Sequence, residues 1–396
     1  MEIIKIISGK IITPEGIKNN AILYIRDGII QSISSSNENL PNATVIDAKG
    51  NYVSPGFIDI HLHGGGNCDF MDNEPEGYNT IAKVHAKHGT TAMTPTTLSA
   101  EKEDLLNTLS TYDNVVQKGT GGANFIGLHI EGPYFAMKQK GAQDPRYIRN
   151  PDPDEYREIV SSSPHIVRWS AAPELPGAIE FAHFMRSKNI LPAIAHTDAV
   201  YEDVVKAVDA GYSLVTHLYS AMPGVTRRNA YRYAGVVEAA YLIDELFVEV
   251  IGDGIHMPPP LLKLAYKIKG ADKIALITDA MRGATMPEGI SMLGSKTNGL
   301  PVIIEDNVAK LPDRTAFAGS VATTDRLVRN MIEMAEVPLF DAVKMLTATP
   351  ASIMKITDRK GSIEKGKDAD IVIFDDKINI KTTIVNGNIV YNNYKN

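Results

Sequence analysis

The stretch SPGFIDIHLHGGG, residues 54–66, decides how the rest of this chain is read. An apolar run from Gly56 to Ile60 ends in two histidines one residue apart, His61 and His63. On a strand, alternation sends both imidazoles to one face. Two neutral imidazoles on one face at a strand's end make a compact nitrogen pair for a divalent transition metal. The glycines that follow let backbone pass close to a bound group.

Outward from this segment, the two chain ends share one style. EIIKIISGKIIT, NAILYIRDGIIQSIS and ATVIDAKGNYVS alternate apolar and polar residues, with turns at Asp27-Gly28 and Lys49-Gly50. GSIEKGKDADIVIFDD and INIKTTIVNGNIVYNN do the same near the C-terminus, with Asn386-Gly387 as a hairpin turn. Residues 1–54 and 358–396 are therefore expected to form one small β-sandwich domain, with residues 55–357 inserted as a second domain. The insert alternates strands and helix-period segments. YVSPGFIDIHLH, GTTAMTPTT, ANFIGLHIEGP, IVRWSAAPE, LPAIAH, LVTHLY, LFVEVIGDG and KIALITDA are eight strand candidates. Eight β-then-α units predict an α/β fold, a (β/α)8 TIM-like barrel. A doubly wound open sheet is the rival, weakened by the lack of a G-x-G-x-x-G after a strand and of a P-loop.

Composition limits the partners. The hydrophobic fraction of 44% and charged fraction of 22% are those of an ordinary globular protein. A net charge of −7 argues against nucleic-acid and anionic-membrane partners. No apolar run reaches the ~18–20 residues that span a bilayer, and the N-terminus lacks a signal-peptide pattern. A single cysteine, Cys68, excludes an internal disulfide and fits a reducing cytoplasm. With no second cysteine beside it, Cys68 reads as incidental rather than as a ligand.

Chemistry in such a barrel sits at the carboxyl ends of the strands. That test sorts the ten histidines. His61 and His63 end strand one, Glu131 strand three, His196 strand five, His217 strand six and Asp279 strand eight, while His256 follows strand seven. One such residue is an ordinary core histidine; the set together is a site. Imidazole and carboxylate ligands suit Zn²⁺, Fe²⁺, Co²⁺ or Mn²⁺. Asp279 is the candidate general acid/base, taking a proton from water and passing it to a leaving nitrogen. His129, two residues before Glu131 and so on the same face, is read as a supporting partner of the ligand set. His85, His88, His165 and His183 read as surface or packing residues. Segment 221–235, AMPGVTRRNAYRYAG, carries Arg227, Arg228 and Arg232 on one loop of the active face, a donor array suited to phosphate.

PGFIDIHLHG, GLHIEGP, the strand-end histidines and LITDA resemble the amidohydrolase superfamily of metal-dependent hydrolases. GLHIEGPY, KGAQDPRYI, VTHLYSAMPG, GDGIHM, ITDAMRGATMPEG and AFAGSVATTDRLVRNM resemble its N-acetylglucosamine-6-phosphate deacetylases over almost the whole chain. The resemblance implies Glu131, His196 and His217 as the principal metal site, with Zn²⁺ first among the candidates. It implies His61 and His63 as a second metal position, so one or two ions per chain, since members differ on this point. It implies Asp279 as the acid/base, and His256 and Arg228, with Arg227 as substitute, as phosphate contacts, some reaching across a homodimer. Gln143, Ser220 and Ala221 fall where the sugar and acetamide are held. Gln143 stands where the family often has histidine, and Ser220 where it often has asparagine, which leaves the sugar open between the gluco and galacto epimers. A carbamylated-lysine hydrolase of the dihydroorotase type is disfavoured because strand four, RWSAAPEL, offers no lysine. A catalytically dead scaffold is disfavoured because no ligand is missing.

Overall fold

The structure is a computed structural model that describes residues 3–38 and 40–394. Its centre is a ring of eight parallel strands: β1 (Phe57–Leu62), β2 (Thr90–Pro95), β3 (Leu128–Glu131), β4 (Ile166–Ala171), β5 (Leu191–Ile194), β6 (Leu214–Val215), β7 (Phe247–Ile251) and β8 (Ile274–Ile277). Strands β3 to β8 pair in chain order, and β1 pairs with β2. A bridge between Thr96 and His129 joins β2 to β3. The Asp279 amide donates to His61 O at 2.9 Å, which joins β8 to β1. An apolar cluster holds Ile58, Ile60, Ala92, Ala193, Leu214, Ile251, Ala275 and Ile277 together, so strands on opposite sides of the ring share one core. This is an α/β TIM-like architecture.

A helix follows each strand: α1 (Pro75–Ala86), α2 (Lys102–Val116), α3 (Pro153–Ser162), α4 (Ala178–Ser187), α5 (Tyr201–Ala210), α6 (Val236–Leu242), α7 (Pro259–Lys269) and α8 (Thr324–Ala335). Proline in the first turn starts α1, α3 and α7 without loss of a needed donor. Asp152 caps α3 by accepting from the amides of Asp154 and Glu155. The apolar faces of these helices supply Tyr78, Ile81, Leu105, Leu109, Tyr156, Phe181 and Met185 to the layer around β1 to β4. No helix among the described residues is long and apolar enough to cross a membrane.

Both chain ends meet in one eight-stranded sheet. Strands Ile3–Thr13, Gly16–Arg26, Ile29–Ser34, Thr44–Asp47 and Tyr52–Pro55 are joined by Ile371–Phe374, Ile380–Val385 and Asn388–Asn392. The junction is the antiparallel pairing of Tyr52–Pro55 with Ile371–Phe374. One element was not anticipated from the sequence. Between β8 and α8 lies a four-stranded antiparallel sheet, Gly289–Leu293, Leu300–Glu305, Val308–Lys310 and Phe317–Ser320. Its sequence signal is the pair Asp306-Asn307, both at positive φ, between IIE and VAK, a two-residue hairpin turn.

His85 on α1 is fully buried, as a packing residue, and its Nε2–H donates to Gly64 O at 2.9 Å. The imidazole fixes the glycine loop behind His63, and a Cβ on Gly65 would stand 2.7 Å from His85 Nε2. Burial pushes the His85 imidazole down to about 4. The unfolded chain takes a proton near 6.5 that the folded chain refuses until about 4. Stability from this group is therefore whole above pH 6.5 and falls as pH drops towards 4, by about 3 kcal/mol at most. Urea midpoints of metal-free protein at pH 7 and pH 4.5 should show a smaller drop for His85→Gln than for wild type. Equal drops would remove His85 from the account.

Candidate metal-dependent active site

The strand ends deliver the expected residues to one place. His61 is the penultimate residue of β1 and His63 follows it; Glu131 closes β3; His196, His217 and Asp279 each lie two residues past β5, β6 and β8. Two triads result, His61–His63–Asp279 and Glu131–His196–His217, each with ligand atoms within 4.8 Å of one another. Glu131 joins them. Its Oε1 lies 3.4 Å from His61 Nε2, 3.6 Å from His196 Nε2 and 3.1 Å from His217 Nε2, and its Oε2 lies 3.6 Å from His63 Nε2. Asp279 Oδ1 sits 3.2 Å from His63 Nε2 and 3.7 Å from His61 Nε2.

The donor set fits one or two divalent cations. His63 Nδ1 is 3.2 Å from Thr96 O and His196 Nδ1 is 2.9 Å from Gln139 O. Carbonyl oxygens only accept, so both rings carry the proton on Nδ1 and turn the Nε2 lone pair to the cluster. His61 Nε2 is buried and has no hydrogen-bond partner, although carboxylate oxygens surround it. A cation at the centre satisfies that orphan and the facing lone pairs together.

The charges of these groups act strongly on one another. Burial pulls the His61 imidazolium down, but Glu131 and Glu249 outweigh it and raise it to about 10. Burial opposes ionisation of Glu131, yet the surrounding imidazoles hold its carboxyl well below the usual range. Burial likewise opposes ionisation of Asp279, and His63 and His61 outweigh it to hold the carboxyl down. The backbone is strained: His196, His217 and Asp279 take φ of 44°, 29° and 48°. Left-handed backbone at non-glycine residues costs about 1–3 kcal/mol each and persists where the surrounding fold dictates it.

The cluster opens into a cleft of about 460 Å³. Besides His63, Glu131, His196, His217 and Asp279, the residues Gln143, Ser220, Ala221 and His256 line it, together with Lys138 and Phe317. His256 Nδ1 donates to the buried Asp253 at 2.8 Å, which orients the ring. Gln143 is engaged at both ends: Ser99 N donates to its Oε1 at 2.8 Å, and its Nε2 donates to Glu131 Oε2 at 2.9 Å. Arg227 and Arg228 are not on the cleft wall. They lie on an exposed hairpin, Thr226–Arg228 with Tyr231–Tyr233, where Arg228 stacks over Tyr233 at 5.3 Å. His129 lies beside the ligands: its Nε2 pairs with Ser170 Oγ at 2.7 Å and its ring packs edge-on against His61.

Three buried charged residues beneath the cluster were passed over in the sequence: Asp59, Arg168 and Glu249. Each is a lone charge inside an apolar run, FIDIHL, IVRWSA or FVEVI, and that contrast was the available signal. Asp59 accepts from Thr278 Oγ1 at 2.5 Å, tying β1 to β8 below the metal ligands.

Comparison with known proteins agrees with this geometry. The model of the Amidohydrolase family matches residues 52–390. The chain belongs to the amidohydrolase family. Within it, the chain is 34% identical to an N-acetylglucosamine-6-phosphate deacetylase of Lysinibacillus sphaericus, over 93% of this chain and 92% of that protein. It is 30% identical to an N-acetylgalactosamine-6-phosphate deacetylase of Escherichia coli O157:H7, over 96% and 97% of the two chains. Among solved structures, it superposes with a TM-score of 0.89 on a mutant N-acetyl-D-glucosamine-6-phosphate deacetylase of Mycobacterium smegmatis in complex with N-acetyl-D-glucosamine-6-phosphate. That pair is 26% identical, over 98% of this chain and 99% of the other.

Glu131 touches every imidazole of the cluster, so Glu131→Gln should strip most bound metal when content is measured on purified protein. Full metal content in that variant would refute the assignment. Replacing His61 and His63 together by alanine should lower the stoichiometry by about one ion per chain. An unchanged stoichiometry would leave the pair without a ligand role.

Proposed function

We propose that this protein hydrolyses the acetamide of N-acetylglucosamine 6-phosphate, giving glucosamine 6-phosphate and acetate. The observation that carries the reading is the convergence of four histidines on Glu131 and Asp279 at the floor of a polar cleft. Relatives named for this reaction span almost the full chain and support it. Glu131, His196 and His217 would hold the principal ion, and His61 and His63 with Asp279 a second. Zn²⁺ is the ion we assign, since imidazole and carboxylate donors suit it. When bound, it supplies an activated water at neutral pH and polarises the amide carbonyl.

The chain's own groups do the rest. Asp279, ionised and at the cleft floor, takes the proton of the attacking water and delivers it to the departing nitrogen. Gln143 gives one N–H to Glu131 and has a second for the acetamide oxygen as it gains charge. Ser220 and Ala221 border the sugar. His256, oriented by Asp253, receives the phosphate together with Arg228 or Arg227. Because those arginines stand on an exposed hairpin and do not line the cleft of their own chain, we assign them to the cleft of a second copy in a homodimer; the exposed Val225 and Tyr231 support that contact. The same reading takes residues 1–54 and 358–396 as a small β-sandwich domain around the separate core of Ile4, Leu23, Val53, Ile371 and Ile384, residues 55–357 as the catalytic domain, and the protein as cytoplasmic.

Acetate release should be measured side by side with N-acetylglucosamine 6-phosphate, its galacto epimer and the unphosphorylated sugar. The gluco phosphate should be turned over fastest and the plain sugar poorly. Preference for the galacto epimer would move the assignment to the activity named for the Escherichia coli relative; indifference to phosphate would overturn the substrate class. Asp279→Asn should keep the fold and at least one ion yet lose turnover by ~10²–10⁴-fold, because an amide cannot shuttle the proton. Near-normal turnover would require another base.

A further inference from the structure

His61 differs from the other ligands in what holds it. His63 and His196 rest their Nδ1 on backbone carbonyls, whereas His61 Nδ1 lies 3.1 Å from Glu249 Oε2, a carboxylate with no solvent exposure. A carbonyl would serve to orient one ring, and a buried carboxylate is tolerated only when it is paired. The partner is Arg168, also fully buried, whose Nη1 reaches Glu249 Oε1 and whose Nη2 reaches Oε2 at 2.9 Å. Thr216 Oγ1 at 2.8 Å and Ile60 O at 3.3 Å accept from the same guanidinium and fix it in the barrel.

Glu249 Oε2 takes a third donor as well. The backbone N–H of His217 reaches it at 3.3 Å, at a residue whose φ is +29°. The Leu218 amide then donates to Glu249 O at 2.8 Å. One oxygen thus touches a ligand of each triad: the ring of His61 and the backbone of His217.

We propose that Glu249, held by Arg168, is a positioning residue of the metal centre: its Oε2 keeps the His61 proton on Nδ1 and seats His217, so that one buried carboxylate aligns both metal positions. This rests on the metal reading above. The alternative is an ion pair that only fills the barrel core.

The two accounts part on substitution. In Glu249→Gln the side chain has one oxygen, and the guanidinium retains it. The amide N–H₂ then faces His61 Nδ1, which must accept, and the ring proton moves to Nε2, where it blocks the ion. Zn²⁺ titration of the full chain against a chromophoric chelator should show binding at the His61–His63–Asp279 position weakened 10- to 100-fold, the range for loss of a ligand's supporting partner. The loss at Glu131–His196–His217 should be smaller. In the zinc-loaded wild type, ¹⁵N NMR of the imidazoles should find His61 ligated through Nε2 with its proton on Nδ1. The double variant Arg168→Met/Glu249→Leu guards against misfolding, since apolar replacement of a buried pair is often neutral for stability. It should melt cooperatively and still lose the same position. Wild-type affinity at both positions in either folded variant overturns the proposal, as does a His61 ligated through Nδ1. A wild type that binds no Zn²⁺ at all overturns the metal reading beneath it, a result distinguishable from the first.

Discussion

The Glu131 carboxylate is the constraint around which the mouth of the barrel is arranged. The Nε2 atoms of four histidines lie within 3.6 Å of its oxygens. With His63 and His196 tied by Nδ1 to carbonyls, those Nε2 atoms present lone pairs to lone pairs. Such an arrangement holds only with positive charge at its centre. Protons supply it in the free chain, which is why His61 is raised to about 10. A divalent cation supplies it with better geometry, and that is the physical link between this fold and hydrolysis of an amide.

The surrounding structure exists to hold that arrangement. Three of the six converging residues have left-handed backbone, a conformation that a loop alone would relax. The hydrogen bonds that prevent relaxation run back into the barrel. Asp279 N is held by His61 O, His217 N by Glu249, and Gln143 links Glu131 to the Ser99 backbone. The strain is thus distributed over the strand ends, and the cluster is as rigid as the ring beneath it.

The walls of the cleft come from elements outside the ring. The loop with Lys138, Gln139 and Gly141 forms one side, and Tyr219, Ser220 and Ala221 another. The antiparallel sheet between β8 and α8 contributes Leu293, Phe317 and Gly319. Phe317 packs over His256 at 4.7 Å between ring centroids, and Ser320 N donates to Asp279 O at 2.8 Å, so this sheet walls the cleft from His256 to the metal ligands. Recognition of the sugar is therefore assigned to loops and hydrolysis to strand ends, the usual division in such barrels.

Much of this was legible in the sequence because strand chemistry is local. Apolar runs ending in His61, Glu131, His196, His217 and Asp279 mark strands and their carboxyl ends without reference to anything distant. The β character of both chain ends was legible for the same reason, whereas their joining in one eight-stranded sheet came from the fold. Three further matters were decided only by tertiary structure. Arg168 and Glu249 are 81 residues apart in the chain, and each alone looks like an interruption of an apolar strand; only ring closure makes them a pair under His61. Gln143 reads in the sequence as a substrate contact alone, and only the fold shows that its amide also reaches Glu131. The arginines at 227 and 228 follow a strand that ends at the mouth, yet the Asn229-Ala230 turn, at φ of 50° and 68°, folds them into an exposed hairpin outside the cleft lining. Local sequence determined which groups could bind a cation and at which end of the barrel. Long-range packing decided which of them meet, because contact across a closed ring depends on register and strand order rather than on spacing along the chain.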